Sequence, residues 1–211
     1  MKGMLVIISG PSGSGKGTVV KRLDPSRNYA LSISVTTRAP RLGEVDGRDY
    51  FFCRQEEFIR MRDQNELLEH AVYCGHFYGT PKRYVQEQIA KGKAVVLEIE
   101  VNGALQVRDK FKDSVLIFLM PPTMEELHRR LVNRNTEGAL AIEDRLKKAN
   151  EEIKLVDKYD YLVVNDDIAN AVNQIDVIVE AESLKPKRCM DAIKRFAMGS
   201  EAGTPAEALS E

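Results

Sequence analysis

Cysteine is scarce in this 211-residue chain, net charge is nearly zero, and long apolar runs and internal repeats are missing. Each absence excludes something. The three cysteines, Cys53, Cys74 and Cys189, form an odd set without a CxxC spacing, which argues against a disulfide framework and suits free thiols in a reducing cytosol. Cys74 and His76 lie close together with His70 nearby, but no paired-ligand spacing joins them. They are expected to be ordinary structural residues, not metal ligands. A formal net charge of −1 offers no overall positive field for nucleic acid or an anionic membrane, so any positive charge needed for an anionic ligand has to be concentrated locally. No segment reaches membrane-spanning length, and the first apolar run is too short for a signal-peptide core. A soluble, cytoplasmic protein is expected. Its 43% apolar content and its length allow one compact domain with insertions.

What is present begins near the N-terminus, where the apolar run MLVIIS leads directly into GPSGSGKGT. A buried strand ends, glycines let the backbone wrap an anion, and a lysine stands at the mouth of the next helix. Gly10, Gly13 and Gly15 supply backbone freedom and close approach, so that amide groups converge on phosphate oxygens while Lys16 adds a full charge. The usual pattern has Ser or Thr directly after the lysine. Here that place is Gly17, and the hydroxyl follows at Thr18. A lone Gly/Ser turn would be a mere connection; with Lys16 and both flanking elements, the loop is expected to bind a nucleotide.

Further along, MLVIIS (4–9), AVVLEIE (94–100), SVLIFLM (114–120) and YLVV (161–164) read as strands buried on both faces, and YALSISVTT (29–37) as another strand. Helical patterns fall at about 16–24, 81–91, 103–110, 123–133, 139–156 and 168–184, the one at 123 opening with a Thr123–Glu126 capping box. Strand and helix in alternation predict a doubly wound α/β sheet. Two stretches interrupt it. Residues from Thr37 to about Pro81 read as a small α+β insertion, and NRNTEGALAIEDR (133–145) as a mobile flap. Past Gly199 the small, polar, acidic tail is expected to be disordered.

Charge is concentrated in SVTTRAPRLGEVDGRDYFF (34–52), where Arg38 and Arg41 stand three apart among the hydroxyls of Ser34, Thr36 and Thr37, with Tyr50 beyond. Guanidinium groups grip phosphate, and a second basic cluster implies a second phosphorylated substrate. Glu98 and Glu100, two apart on a predicted strand, are expected to share a face at the carboxyl end of the sheet. Magnesium, arginine or a base edge would each justify them there. Of Arg129, Arg130, Arg134 and Arg145, helical arginines mostly solvated, Arg134 and Arg145 bracket the flap and are the better candidates for closing on a triphosphate.

In this order and spacing, GPSGSGKGT, SVTTRAPRLGEVDGRDYFF, LLEHAVYCGHFYGT, VLEIEVNGA and YLVVNDD resemble the guanylate kinase family, from about Met4 to about Leu184. The resemblance implies phosphorylation of GMP or dGMP by ATP with Mg²⁺. It implies a P-loop NTPase three-layer fold with a central parallel sheet: a core at 1–37 and 81–198, a GMP-binding insertion at 38–80, a helical lid at about 133–145 and a tail at 199–211. Carried over by position, Ser34, Arg38, Arg41, Tyr50 and Tyr78 would hold the GMP phosphate, and Glu69, Thr80 and Glu100, with Glu98 beside them, the guanine. Gly10, Pro11, Ser12, Gly13, Ser14, Gly15, Lys16, Gly17 and Thr18 would hold the ATP phosphates, with Asn165 near adenine. Lys16, Arg38, Arg134 and Arg145 would act on the transferred group. Mg²⁺ would come with the ATP phosphates, with Thr18 or Glu98 reaching it through water. Nucleic acid and membrane are not expected partners.

The chain departs from the family pattern at Glu98 and Glu100, where aspartates are common, at Asn102, and at Val132-Asn133-Arg134-Asn135, where Arg-Gly-Arg-Gly is common. Two rival readings stand beside the kinase. A protein-binding module that has lost catalysis would have no reason to keep the loop and its lysine. A kinase for a sugar phosphate would have no use for the guanine-edge residues Glu69 and Thr80.

Overall fold

The run at 4–9 determines the architecture, because a strand buried at all six positions must be covered on both faces. A computed structural model describes residues 2–73, 75–133 and 139–199. In chain order its elements are β1 (Met4–Ser9), α1 (Lys16–Val20), β2 (Tyr29–Leu31), β3 (Val35–Thr36), β4 (Phe51–Phe52), α2 (Gln55–Asp63), β5 (Leu67–Tyr73), β6 (His76–Pro81) and α3 (Lys82–Ala90). Then follow β7 (Ala94–Glu98), α4 (Val101–Lys110), β8 (Val115–Met120), α5 (Met124–Asn133), α6 (Ala139–Ile153), β9 (Tyr161–Val164), α7 (Ile168–Ser183) and α8 (Met190–Gly199).

The main sheet is parallel, in the order β2-β7-β1-β8-β9, with Ile8 opposite Glu98 and Ser9 opposite Phe118. Alternation along β1 builds the layers. Met4, Val6 and Ile8 pack with Val19 and Val20 of α1 and Ile175 and Val179 of α7. Leu5 and Ile7 pack instead with Val85 of α3 and Ala104 and Val107 of α4. Each fully buried aliphatic side chain contributes about 1.5–3 kcal/mol, so most of the hydrophobic stabilisation sits in this three-layer α/β core, which holds the two largest buried clusters. Among the described residues no helix is long and apolar enough to cross a membrane.

A second, mixed sheet in the order β4-β3-β6-β5 stands beside the first. Its buried cluster is small, built on Val35, Phe58 and Leu67 with Phe77 stacked on Phe58 at 5.3 Å. A third cluster, Leu127 and Leu131 of α5 against Ala149 of α6, joins those two helices.

Several expectations are corrected. The stretch 29–37 is two strands in two sheets. The Ser32 amide still donates to Val96 O in the main sheet, while Ser34 O already accepts from Phe51 of the second. Helix α1 stops at Val20, and the next residues turn with i→i−3 bonds, Arg22 to Val19 and Leu23 to Val20. Helices α2 and α8 have no counterpart among the predicted elements. The expected flap at 133–145 is already helical from Ala139 onward; residues 134–138, with Arg134 and Asn135, lie outside the described residues, as do Cys74 and the tail from 200 to 211. At the start of α5 half of the capping box forms, the Glu126 amide donating to Thr123 Oγ1 at 3.1 Å, but the Glu126 carboxylate turns to Arg129 and Arg130 instead.

Candidate active site

The loop between β1 and α1 is shaped by close backbone approach. Gly10 sits at φ 143°, and a Cβ there would stand 2.1 Å from Leu119 O. Gly15, at φ 93°, leaves room for Asn165, whose Nδ2 would lie 2.4 Å from a Cβ. Side chains are excluded at both points by space and by conformation. With only five residues, α1 carries a small macrodipole, so anion binding here rests on the loop amides and Lys16. Lys16 is buried, its Nζ donating to Gly10 O at 2.7 Å and Pro11 O at 3.1 Å, with Glu100 Oε1 3.9 Å away. Thr18 is exposed on α1.

The loop is braced from behind. Asn165 Nδ2 donates to Ser14 O at 2.8 Å, which places this residue against the loop itself, with its Oδ1 buried and lacking a protein partner. Arg130 donates to the same Ser14 O at 3.2 Å and to Asn165 O at 2.8 Å, and Glu126 orients its guanidinium at 2.7 Å. Arg130 is therefore a brace of the loop and not one of the solvated helical arginines. The Glu126–Arg130 spacing of four on one helix face was the signal available in the sequence.

On the opposite wall the residues of 34–52 hold one another. Arg38 Nη2 donates to both Glu44 oxygens at 2.9 Å, its Nη1 donates to Ala39 O at 2.7 Å, and its Cζ lies 5.3 Å from the Tyr50 ring centre. Burial alone would raise the Glu44 carboxyl, but the Arg41 amide and the Arg38 guanidinium hold it below the usual range. Thr36 Oγ1 donates to Phe77 O, and Thr37 Oγ1 accepts from the Phe77 amide, so these two hydroxyls fasten β3 to β6. Ser34 and Arg41 face the cavity instead.

Glu69 is 3% exposed on β5 and accepts from Thr80 Oγ1 at 2.7 Å. Burial pushes its carboxyl up to about 7, against the opposing pull of the Thr80 hydroxyl and the Lys110 charge. Space for it comes from Gly103 of α4, where a Cβ would lie 2.9 Å from Glu69 Oε2. The sequence shows that glycine in VNGA, but only its packing against Glu69 shows why a side chain is excluded there.

Glu98 and Glu100 do not share a strand face. Strand β7 ends at Glu98, and Glu100 is already the N-cap residue of α4. The Glu98 carboxylate turns toward Gly17, where a Cβ would meet both of its oxygens at 3.3 Å. Glu100 lies between two lysines, Lys16 and Lys148 of α6, the latter 3.3 Å from Oε2.

One cavity of about 270 Å³ gathers these groups. Ser12 and Lys16 form its loop side; Ser34, Arg38, Arg41, Tyr50 and Tyr78 one wall; Glu69, Glu98 and Glu100 the floor. Arg145 enters from α6, its Nη1 3.5 Å from Ser12 Oγ. Thr80 stands behind Glu69, while Asn165 and Thr18 do not line the cavity.

Known proteins resemble this chain along most of its length. A family model described as guanylate kinase matches residues 2–182. A curated guanylate kinase from Halalkalibacterium halodurans is 51% identical over 191 residues, covering 90% of this chain and 94% of that protein. The crystal structure of guanylate kinase from Anaplasma phagocytophilum superposes with a TM-score of 0.74 at 38% identity, over 89% of each chain. A Thermus thermophilus protein of solved structure, 16% identical with a TM-score of 0.50 over 86% of this chain and 98% of that one, shares the fold alone.

Proposed function

Because the chain belongs to the guanylate kinase family, we propose a division of labour among its residues in which the β1–α1 loop holds the donor and the second sheet the acceptor. The protein is a nucleoside monophosphate kinase that phosphorylates GMP at the expense of ATP. The observation that carries the residue assignment is the meeting, in one cavity, of Lys16, the Arg38–Arg41 wall and the buried Glu69–Thr80 pair.

Residues 10–18 hold the ATP phosphates, and Asn165 supports the adenine side through its bond to Ser14. Ser34, Arg38, Arg41, Tyr50 and Tyr78 grip the GMP phosphate. Guanine offers N1–H and N2–H₂ donors that the Glu69 carboxylate accepts; adenine lacks that pair, so AMP would leave a buried carboxylate unsatisfied, which rejects it strongly. Thr80 fixes the carboxylate, and Glu100 joins the base side to the donor loop through Lys16. dGMP fits the same reading, since no residue is assigned to the 2′-hydroxyl.

The reaction is an in-line attack of a GMP phosphate oxygen on the γ-phosphorus of ATP. That oxygen is already ionised, so the residues align and neutralise two polyanions and no side-chain base is needed. Lys16 follows the transferred group, with Arg38 on the acceptor side and Arg134 and Arg145 closing from the lid. Magnesium fits the donor chemistry present: the hard carboxylate oxygens of Glu98, which face Gly17 where no side chain stands, or the Thr18 hydroxyl would hold it through water. Brought in with ATP, Mg²⁺ supplies neutralisation of the β- and γ-phosphate charge. In this proposal the insertion at 38–80 and the lid at about 133–145 close over both substrates, and the core at 1–37 and 81–198 carries them. A cytoplasmic setting belongs to it as well, supported by the free thiols of Cys53 and Cys189.

An ADP-release assay across GMP, dGMP, AMP, UMP and ribose 5-phosphate tests the reading. Turnover is expected with GMP and dGMP; comparable turnover with AMP or ribose 5-phosphate would overturn the base-site assignment. The sugar-phosphate alternative has no use for a buried carboxylate–hydroxyl pair, and the inactive binding module none for the seated Lys16.

A further inference from the structure

Between the two halves of the cavity stands a tyrosine that neither half accounts for. Tyr73 is the last residue of β5, on the edge of the second sheet, and its ring lines the cavity. On one side it belongs to an aromatic chain. Its ring meets Tyr78 edge-on at 6.5 Å, Tyr78 meets Tyr50 edge-on at 6.1 Å, and Tyr50 carries the Arg38 guanidinium at 5.3 Å. On the other side it receives two cations of α6. Lys148 Nζ lies 5.2 Å and Arg145 Cζ 6.0 Å from the ring centre. Within that helix, residues 145, 148 and 152 fall on one face. Arg145 reaches Ser12 of the donor loop, and Lys148 reaches Glu100 at 3.3 Å and Glu152 at 3.5 Å. Burial works against the charge on Lys148, but Glu100 and Glu152 outweigh it and keep its pKa above the ordinary value. The charge that faces the ring is therefore maintained.

We propose that Tyr73 is a positioning residue that couples the two substrates: the ring links the acceptor grip to the α6 cations, so that GMP in its wall favours the placement of Arg145 over the ATP phosphates. The inference rests on the site assignment above and extends it. The chemistry is that of a cation over an aromatic face, which needs the ring and not the hydroxyl. By linkage, whatever GMP does for ATP binding, ATP does equally for GMP.

The test is calorimetric titration of GMP and of β,γ-imido-ATP with Mg²⁺, each alone and each in the presence of the other. The coupling factor is the ratio of the two affinities, so a change in either site alone leaves it unmoved. Positive coupling is expected in the wild type, falling by about fivefold in Tyr73→Ala and unchanged in Tyr73→Phe. Lys148→Gln, which removes the cation but can still hydrogen-bond Glu100 and Glu152, is expected to lose about twofold; should Tyr73→Ala not fold, this variant decides. A wild-type factor of one, coupling unchanged in both Tyr73→Ala and Lys148→Gln, or equal loss in Tyr73→Phe, overturns the proposal. Absence of GMP binding to the wild type would instead overturn the site assignment.

Discussion

The loop proposed to hold the donor and the wall proposed to hold the acceptor face each other across one cavity but are built by different means. The loop is a backbone object: Gly10 and Gly15 fit against Leu119 and Asn165 with no room for a side chain, and a central strand buried on both faces carries it. The wall is a side-chain object, in which Arg38 is held by Glu44, Ala39 and Tyr50, on a sheet whose own buried cluster is three residues with a few flanking neighbours. Errors in the loop should therefore appear as lost fold or lost chemistry, and errors in the wall as lost affinity and lost choice of substrate.

The largest effect is expected at Lys16. Its replacement by alanine should lower kcat by about 10²–10³-fold while calorimetric GMP binding stays nearly intact. Near-wild-type turnover would remove the distinction between the two sides. Gly10→Ala should destabilise the whole protein by roughly 3 kcal/mol or more, a loss of roughly 6–12 °C in Tm by scanning calorimetry. Gly43→Ala is the control, also at positive φ but with nothing within 4 Å of its Cβ; it should cost only about 1 kcal/mol.

On the wall side, Glu69→Gln should reduce the preference for GMP over AMP by about 10²-fold in paired kcat/KM measurements. Its stability effect has a definite sign. The folded carboxyl is raised from the ordinary 4.5 to about 7, so wild-type stability from this group is greatest below about pH 4.5 and is lost as pH rises through 7. The amide variant should be relatively more stable above pH 7 than at pH 5, a difference that thermal melts at the two pH values will read. Arg38→Lys should raise KM for GMP by about tenfold, because an ammonium cannot reproduce the planar grip, with a smaller loss of Tm than at Gly10. Arg130→Met is the mildest, raising KM for ATP by about fivefold as one brace on Ser14 disappears.

The same contrast governs what could be read without coordinates. The loop is contiguous, and its glycine spacing after an apolar strand is a local signal, so β1, Lys16 and the core strands were legible. The wall and floor assemble residues from 34 to 100; the charge cluster at 34–50 was legible as a second phosphate site, but only the resemblance joined Glu69, Tyr78 and Thr80 to it. Periodicity could not show that 29–37 changes sheets between Ser32 and Ser34, because both halves alternate in the same way. It could not show that β7 stops at Glu98, which sends Glu98 to Gly17 and Glu100 to two lysines. Helix α2 was hidden among strand signals, though its acidic first turn at Glu56 and Glu57 and basic last turn at Arg60 and Arg62 are helix marks. The role of Arg130 was not legible, because a helix face, taken alone, does not reveal what packs against it.

The alternation of β1 has a consequence for how the length of this chain can vary. Met4, Val6 and Ile8 belong to one core and Leu5 and Ile7 to the other, so inserting or deleting a single residue within the strand would exchange both faces at once and displace Gly10 from Leu119. At Leu42 and Gly43, where the side chain is fully exposed and a Cβ on the glycine would meet nothing, an added residue would disturb only the turn. Homologues should therefore differ in length around the acceptor loop and hardly ever in the strand that delivers the donor.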